Sequence, residues 1–301
     1  MFDLSVLRSL LERHGQTLGS PVAGFSIGGR PFDFNRRPAL VGVINLSEDS
    51  WYRESICATE QEAIQRGQAL AAGGADLVDI GAESTLPDAK KVSPAQQAAR
   101  LAPVVEALSR QGILVSVEGY HPEVLEAAGR AGACVFNLTG AHEPADELRL
   151  ANRFDAAVVF CYLQGQNPRE VTDFRFAEDM MAEMEGFFRE RTELAKKLGV
   201  PRCILDPGLG FYYPNLQDGK TRVNHQISTL LQTFRLNQLG FPTMNVLPHA
   251  PEIFGDTHRR AAEPFFAVLA MLGGTHLIRT HELEVVARIR EVLALYPAHG
   301  G

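Results

Sequence analysis

The sequence predicts a (β/α)8 barrel preceded by an N-terminal helix and hairpin. Three observations carry the prediction. Short apolar, β-branched runs alternate with longer stretches of helical period, there are eight such runs, and each reads as continuously apolar rather than alternating. Continuous apolar strands belong in a parallel sheet covered on both faces. Eight strand–helix units in a chain of 301 residues match the count and length of a closed barrel. A doubly wound open sheet is the competing arrangement, but no GxGxxG follows the first strand.

In chain order, SVLRSLLERHG (5–15) has the pattern of a helix, and FSIGGRPFDF (25–34) that of two short strands around a Gly-Gly turn. Residues 1–38 thus form an extension whose hairpin closes the bottom of the barrel, and 39–297 form the barrel itself. The strands are expected at 39–46, 76–82, 113–119, 134–140, 156–163, 203–210, 243–248 and 276–282. Between them, stretches such as 59–74, 93–112 and 121–132 start with Thr, Ser or a residue before Pro and end in Gly, which are helix-capping signals. Two connections, 166–176 and 211–225, are long for a barrel. Both follow the C-terminal end of a strand, where barrel loops build active sites.

Composition narrows the function. The chain is 45% hydrophobic and 22% charged, with a net charge of −7 and no Lys/Arg run, so a nucleic-acid or anionic-membrane partner is not expected. The four cysteines are widely spaced and form no CxxC pair, which fits buried free thiols in a reducing compartment rather than a zinc clip. The amphipathic, charged start is no signal peptide, and no apolar run approaches the roughly 18 residues of a membrane span. A cytoplasmic protein is the expectation.

The chemistry of such a barrel belongs at its strand C-termini. Asn45 ends the first strand; Asp79 lies on the second, followed by Glu83, Ser84 and Thr85; Glu118, Asn137 and Asp206 end the third, fourth and sixth; the fifth ends in Tyr162 and Gln164. Any one of these could be a solvated rim residue. Together, Glu118, Asn137 and Asp206 offer acceptors to the donor edge of a heterocycle such as an aminopyrimidinone. Arg279 and His281 alternate on the last strand, face one side, and with Asn45 could hold a phosphate-like anion. An acidic half and a basic half suit a ligand with a heterocycle at one end and a diphosphate at the other.

These motifs resemble the dihydropteroate synthase family over roughly residues 39–295. VGVINLSEDSW, DLVDIGAESTLPDAKKVS, VSVEGYHPEVLEAAGRAGACVFNLTG, CILDPGLGF and THLIRTHEL are similar to that family's motifs, in the same order. Methyltetrahydrofolate-dependent methyltransferases share the barrel and pterin pocket, but the Glu83-Ser84-Thr85 run favours the synthase branch. The resemblance implies that Glu118 (standing where the family usually has Asp), Asn137 and Asp206 recognise a pterin, with Thr85 and Tyr162 also touching substrate. Asn45, Arg279 and His281 would be the catalytic set holding the diphosphate, with Mg2+ as cofactor on Asn45. It implies transfer of a dihydropterin methylene to the amine of 4-aminobenzoate with release of pyrophosphate, in folate biosynthesis. Pairing through outer helices, as a homodimer, also follows from the resemblance.

Departures concentrate on the acceptor side. Leu86 stands where the family has Arg, Pro251 where it has the Lys of a Ser-Arg-Lys run, and Leu138 where it has Asp. With two cations gone, 4-aminobenzoate is expected to be a poor acceptor or to be held differently, with Lys90, Lys91, Arg169, Lys220 or His249 as replacements. Two alternatives stand beside the synthase reading: a pterin-dependent enzyme with another acceptor, such as a methyl carrier, and a non-catalytic pterin-binding protein. An intact Asn45, Arg279 and His281 argues against the second.

Overall fold

A computed structural model describes residues 3–47, 55–84, 89–140, 143–216 and 218–296, with Asp256 and Arg259 described in backbone alone. Helix α1 (Leu4–His14) leads into the antiparallel hairpin β1 (Phe25–Ile27) and β2 (Arg30–Phe32). The turn works because Gly28 and Gly29 take φ of 53° and 80°, and a Cβ on Gly28 would stand 2.6 Å from Leu114. Left-handed φ at both central residues is what a two-residue hairpin requires. Ile27, Val22 and Phe34 then pack on Val41, Leu77, Val135, Ile204 and Leu277 inside the barrel, so the hairpin plugs its lower end.

The barrel strands are β3 (Ala39–Asn45), β4 (Leu77–Gly81), β5 (Val115–Gly119), β6 (Val135–Leu138), β7 (Ala157–Cys161), β8 (Cys203–Asp206), β9 (Met244–Val246) and β10 (Leu277–Thr280). All are parallel, in the order β8-β7-β6-β5-β4-β3-β10-β9, and a single bridge from Leu205 to Thr243 joins the two ends of that order. Around them lie α2 (Glu60–Ala72), α3 (Pro94–Ser109), α4 (Pro122–Ala131), α5 (Ala145–Arg153), α6 (Met180–Lys197), α7 (Gly219–Gln232), α8 (Pro251–His258), α9 (Ala262–Leu272) and α10 (Leu283–Leu295). Thr59 and Ser93 open α2 and α3 with reciprocal capping boxes, and Gly132 ends α4 at φ 104°.

Strand alternation separates two layers. Leu40, Ile44, Val78, Ile80, Val117, Phe136, Phe160 and Leu205 point outward into the helices, while Val41, Leu77, Val159 and Ile204 fill the interior. The eight parallel strands match the expected barrel. Several strands are shorter than their apolar runs, β8 most of all: it stops at Asp206, because Pro207 has no N–H to pair and Gly208 turns at φ 77°. No helix among the described residues is long and apolar enough to cross a membrane.

Candidate active site

The interior polar side chains converge on the upper mouth. Asp79, on β4, accepts from Ser116 Oγ at 2.5 Å, Asn137 Nδ2 at 3.2 Å and Arg279 Nε at 2.7 Å. Arg279 also gives Nη2 to Glu118 Oε2 at 2.6 Å, and Cys161 Sγ donates to Asn137 Oδ1 at 3.3 Å. Five strands are thereby tied through one polar network, and every member of it alternates with an outward apolar residue. Asn45, Glu118, Asn137, Cys161, Asp206, Arg279 and His281 all line the same pocket.

Three carboxylates around one guanidinium leave the floor with surplus negative charge. Burial is the largest influence on Asp206 and raises it to about 7, against the opposing pull of the Gly208 N–H and Arg279. Glu118 is also raised by burial, with Arg279 opposing and Asp79 reinforcing. Arg279 goes the other way: burial alone would lower it, but Asp79 and Glu118 outweigh that and raise it. Asp206 receives the Gly208 N–H on Oδ1 at 2.7 Å, which fixes the carboxylate plane at the head of the turn. Gly208 is obligatory there, since a Cβ would stand 2.0 Å from the Tyr162 carbonyl oxygen.

A second polar group forms the wall at β10. Glu263, on α9 and 1% exposed, accepts on Oε2 from the backbone N–H of His281 (2.9 Å) and Glu282 (3.2 Å) and from the Thr280 hydroxyl. Its Oε1 faces His281 Nδ1 at 2.7 Å and His249 Nδ1 at 3.6 Å. Burial works to raise Glu263, but the charge and hydrogen bond of His281 and the charge of His249 outweigh it and hold it at about 2. Glu282 points away, clamped by Arg260 through two bonds of 2.6 and 2.8 Å.

Phe211, Tyr212 and Arg222 also line the mouth, together with Val246 at the end of β9 and 247–251 after it. Arg222, near the start of α7, pairs with Glu252 and lies over the Tyr212 ring at 5.5 Å. Ala250 holds a left-handed φ of 40°, a conformation that costs a non-glycine residue on the order of 1 kcal/mol.

The profile of the pterin binding enzyme family matches residues 41–281, which include every one of these groups. The chain belongs to the pterin binding enzyme family. Its relatives include the dihydropteroate synthase of Synechocystis sp., 30% identical over 277 residues, covering 88% of this chain and 92% of that one. Similar solved structures include the dihydropteroate synthase of Thermus thermophilus in complex with 4-aminobenzoate, with TM-score 0.77 and 27% identity over 91% of this chain and 100% of that chain. The Xanthomonas albilineans synthase in complex with 7,8-dihydropteroate has TM-score 0.73 and 27% identity, over 91% and 98%.

For this pterin binding enzyme, three sequence expectations need correction or restriction. Tyr162 does not line the mouth. It is one residue past Cys161, so strand alternation turns it outward, where it packs edge-on against Phe187 at 5.0 Å and its hydroxyl accepts from Gln164 Nε2. The separate acidic and basic halves also fail, because Arg279 is bonded into the acidic cluster itself. Thr85 and Leu86 lie outside the described residues. Among the replacement cations, Lys90, Lys91 and Lys220 are exposed and off the pocket. Arg169 gives its guanidinium to the carbonyls of Ser84 and Ala89. His249 alone of that group lines the mouth.

Reading the strand ends also missed Arg222 and Glu263, since both come from helices. Asp79 was visible on its strand, but its place at the centre of the network was not. For Glu263 a signal existed: a carboxylate in the otherwise apolar stretch AAEPFFAVLAML. Such a charge, on a helix that must bury most of its faces, needs a partner.

Proposed function

We propose that this chain is a transferase of the dihydropteroate synthase type, acting in folate biosynthesis. It joins a 6-hydroxymethyl-7,8-dihydropterin diphosphate to an aryl amine and releases pyrophosphate. The observation that carries the reading is the floor of Asp79, Glu118, Asn137 and Asp206 around Arg279: acceptors for an aminopyrimidinone edge, beside a cation that can face an oxyanion.

In the reaction, the amine nitrogen attacks the methylene carbon as the carbon–oxygen bond to the diphosphate breaks. The leaving group departs with the electron pair, and the amine proton passes to solvent. The residues need do little proton transfer. Asp206, Glu118 and Asn137 fix the ring, while Arg279, His281 and Asn45 meet the diphosphate, so rate comes from alignment and preorganised charge. Asn45 gives Nδ2 to Ser55 Oγ at 2.6 Å, which makes its carboxamide oxygen the hard donor a Mg2+ ion takes. Mg2+ held there would neutralise charge gathering on the departing diphosphate.

On the acceptor side, Arg222 is the cation that supports an anionic acceptor in place of the residues lost at Leu86 and Pro251. 4-Aminobenzoate or a related aryl amine acid fits an aromatic-walled site formed by Phe211, Tyr212 and Arg222. The test is steady-state kinetics with purified protein, Mg2+ and the pterin diphosphate, measuring pyrophosphate and pteroate product with and without 4-aminobenzoate. Coupled formation of both products is expected. Pyrophosphate without pteroate would assign a different acceptor, and neither product would leave a binding protein.

A further inference from the structure

We propose that His249, Glu263 and His281 form a three-ligand site for one zinc-class divalent cation, with its remaining coordination position open to the barrel mouth. The potential ligand atoms of the three residues lie within 4.8 Å of one another. The two measured approaches, 2.7 Å from His281 Nδ1 and 3.6 Å from His249 Nδ1 to the same carboxylate oxygen, bracket the separation of about 3.3 Å that tetrahedral bonds of roughly 2.0–2.1 Å impose. The carboxylate oxygen thus stands near ligand distance from both imidazoles, and the two imidazoles lie within 4.8 Å of each other, so an ion draws together groups already adjacent.

The carboxylate is prepared for this role. Glu263 Oε2 is taken up by the N–H groups of His281 and Glu282 and the Thr280 hydroxyl, which locks the side chain and leaves Oε1 as the oxygen shared by both imidazoles. Hydrogen bonds that orient a ligating carboxylate in this way are the usual outer support of a metal centre. Strand and helix supply two of the ligands, His281 directly after β10 and Glu263 from α9, and the loop after β9 supplies His249, next to Ala250 with its left-handed φ. A strand cap alone would need Glu263 but not a second histidine on its other oxygen.

The donor set also separates this ion from the Mg2+ considered above. Two imidazoles and one carboxylate suit zinc, cobalt(II) or nickel(II), whereas Mg2+ takes oxygens and keeps its waters. Three protein ligands with a vacant position facing a pocket is the arrangement of a zinc centre that accepts an outside oxygen. His249 and His281 both line the mouth, so that oxygen would come from the ligand. The ion site stands on the three side chains; that its open position meets a diphosphate oxygen rests on the transferase reading. Any proton between His281 Nδ1 and Glu263 Oε1 is displaced to solvent when the ion binds.

The test uses the full chain, stripped with chelator and titrated with Co2+ as a spectroscopic stand-in for zinc. One Co2+ per chain is expected, with the strong visible bands of a four- or five-coordinate nitrogen–oxygen site. Zn2+ should displace it and excess Mg2+ should not. His249→Ala, on the loop, should weaken Co2+ roughly a hundredfold, at least the upper end of what losing an outer partner costs. Glu263→Gln should do the same, with its melting temperature followed because the side chain also caps a strand. Inorganic pyrophosphate should shift the bands of the wild-type complex and leave one ion bound. Equal Co2+ affinity in His249→Ala, a six-coordinate spectrum, or binding seen only after pyrophosphate is added would overturn the site. Any of these would leave Mg2+-supported pteroate synthesis untouched, and failure of that synthesis would leave the Co2+ result standing.

Discussion

Arg279 and Asp79 are 200 residues apart in sequence and meet at 2.7 Å inside the barrel, Nε against Oδ2. With Glu118 on the same guanidinium, the pair makes Arg279 the charge that allows three carboxylates to share one floor.

Arg279→Ala should therefore do more than weaken a diphosphate contact. Removing one partner of a buried ion pair costs about 3–5 kcal/mol, and here two acids lose theirs. Denaturant melts should show that loss at pH 8 and a smaller one at pH 5, since Glu118, which burial already raises, can then take up a proton. Bare hydroxymethylpterin and its diphosphate should both bind worse. A stable variant with full affinity for the bare pterin would separate Arg279 from the floor.

Asp206→Asn keeps an oxygen for the Gly208 N–H but replaces the outward acceptor with a donor. Calorimetry should show a loss of roughly 2–4 kcal/mol in pterin binding with little change in melting. The reverse pattern, lost stability with normal affinity, would reduce Asp206 to a turn cap.

Because Asp206 is raised to about 7 in the free protein, the ring's donors meet a carboxyl that must first lose its proton at lower pH. Pterin affinity should fall about tenfold per unit below pH 7, as expected for one linked proton, and level off above it. The stability contribution has the sign of a raised acid: present in full below the ordinary 3.8 and lost as pH climbs through about 7. Calorimetry in buffers of different ionisation heat will count the proton, and a pH-independent affinity from 5.5 to 8 would contradict the assignment.

Arg222→Ala should raise the Michaelis constant for 4-aminobenzoate by roughly ten- to a hundredfold, the worth of one charge-assisted contact of about 1.5–3 kcal/mol. The pterin diphosphate constant should hold. An unchanged acceptor constant would mean that Arg222 serves Glu252 and Tyr212 only.

Tyr162→Phe removes a hydroxyl that accepts from Gln164 on the outer side of β7. About 1 kcal/mol of stability should go, with both Michaelis constants unchanged. A shift in either constant would bring Tyr162 back into the mouth.

The barrel and the polar residues that line its mouth were legible because parallel strands leave long apolar runs, and a polar residue at the end of such a run stands out. Glu118, Asn137 and Asp206 were found that way. Tyr162 was misplaced by a single residue of phase, since alternation after Cys161 decides inside from outside and the run gives no phase mark at its end. Arg222 and Glu263 were not legible from strand ends because they enter from helices whose orientation depends on tertiary packing. Arg279's bond to Asp79 could not be read either: spacing shows that two residues face one mouth, not which of several partners the charge selects.

The thin seam between β8 and β9 has a consequence for how acceptor choice can diverge. One bridge spans it, while β3 and β4 share five paired residues, so β9 hangs chiefly from β10. The loop after β9 carries His249, Ala250 and Pro251, and it hinges on the least stitched edge of the wall. Substitutions there disturb few ladder bonds, and the Asp79-centred lattice meets that edge only at Arg279 on β10, which pairs with Val246. Such a barrel can exchange its second substrate by drift along one edge while keeping its grip on the first.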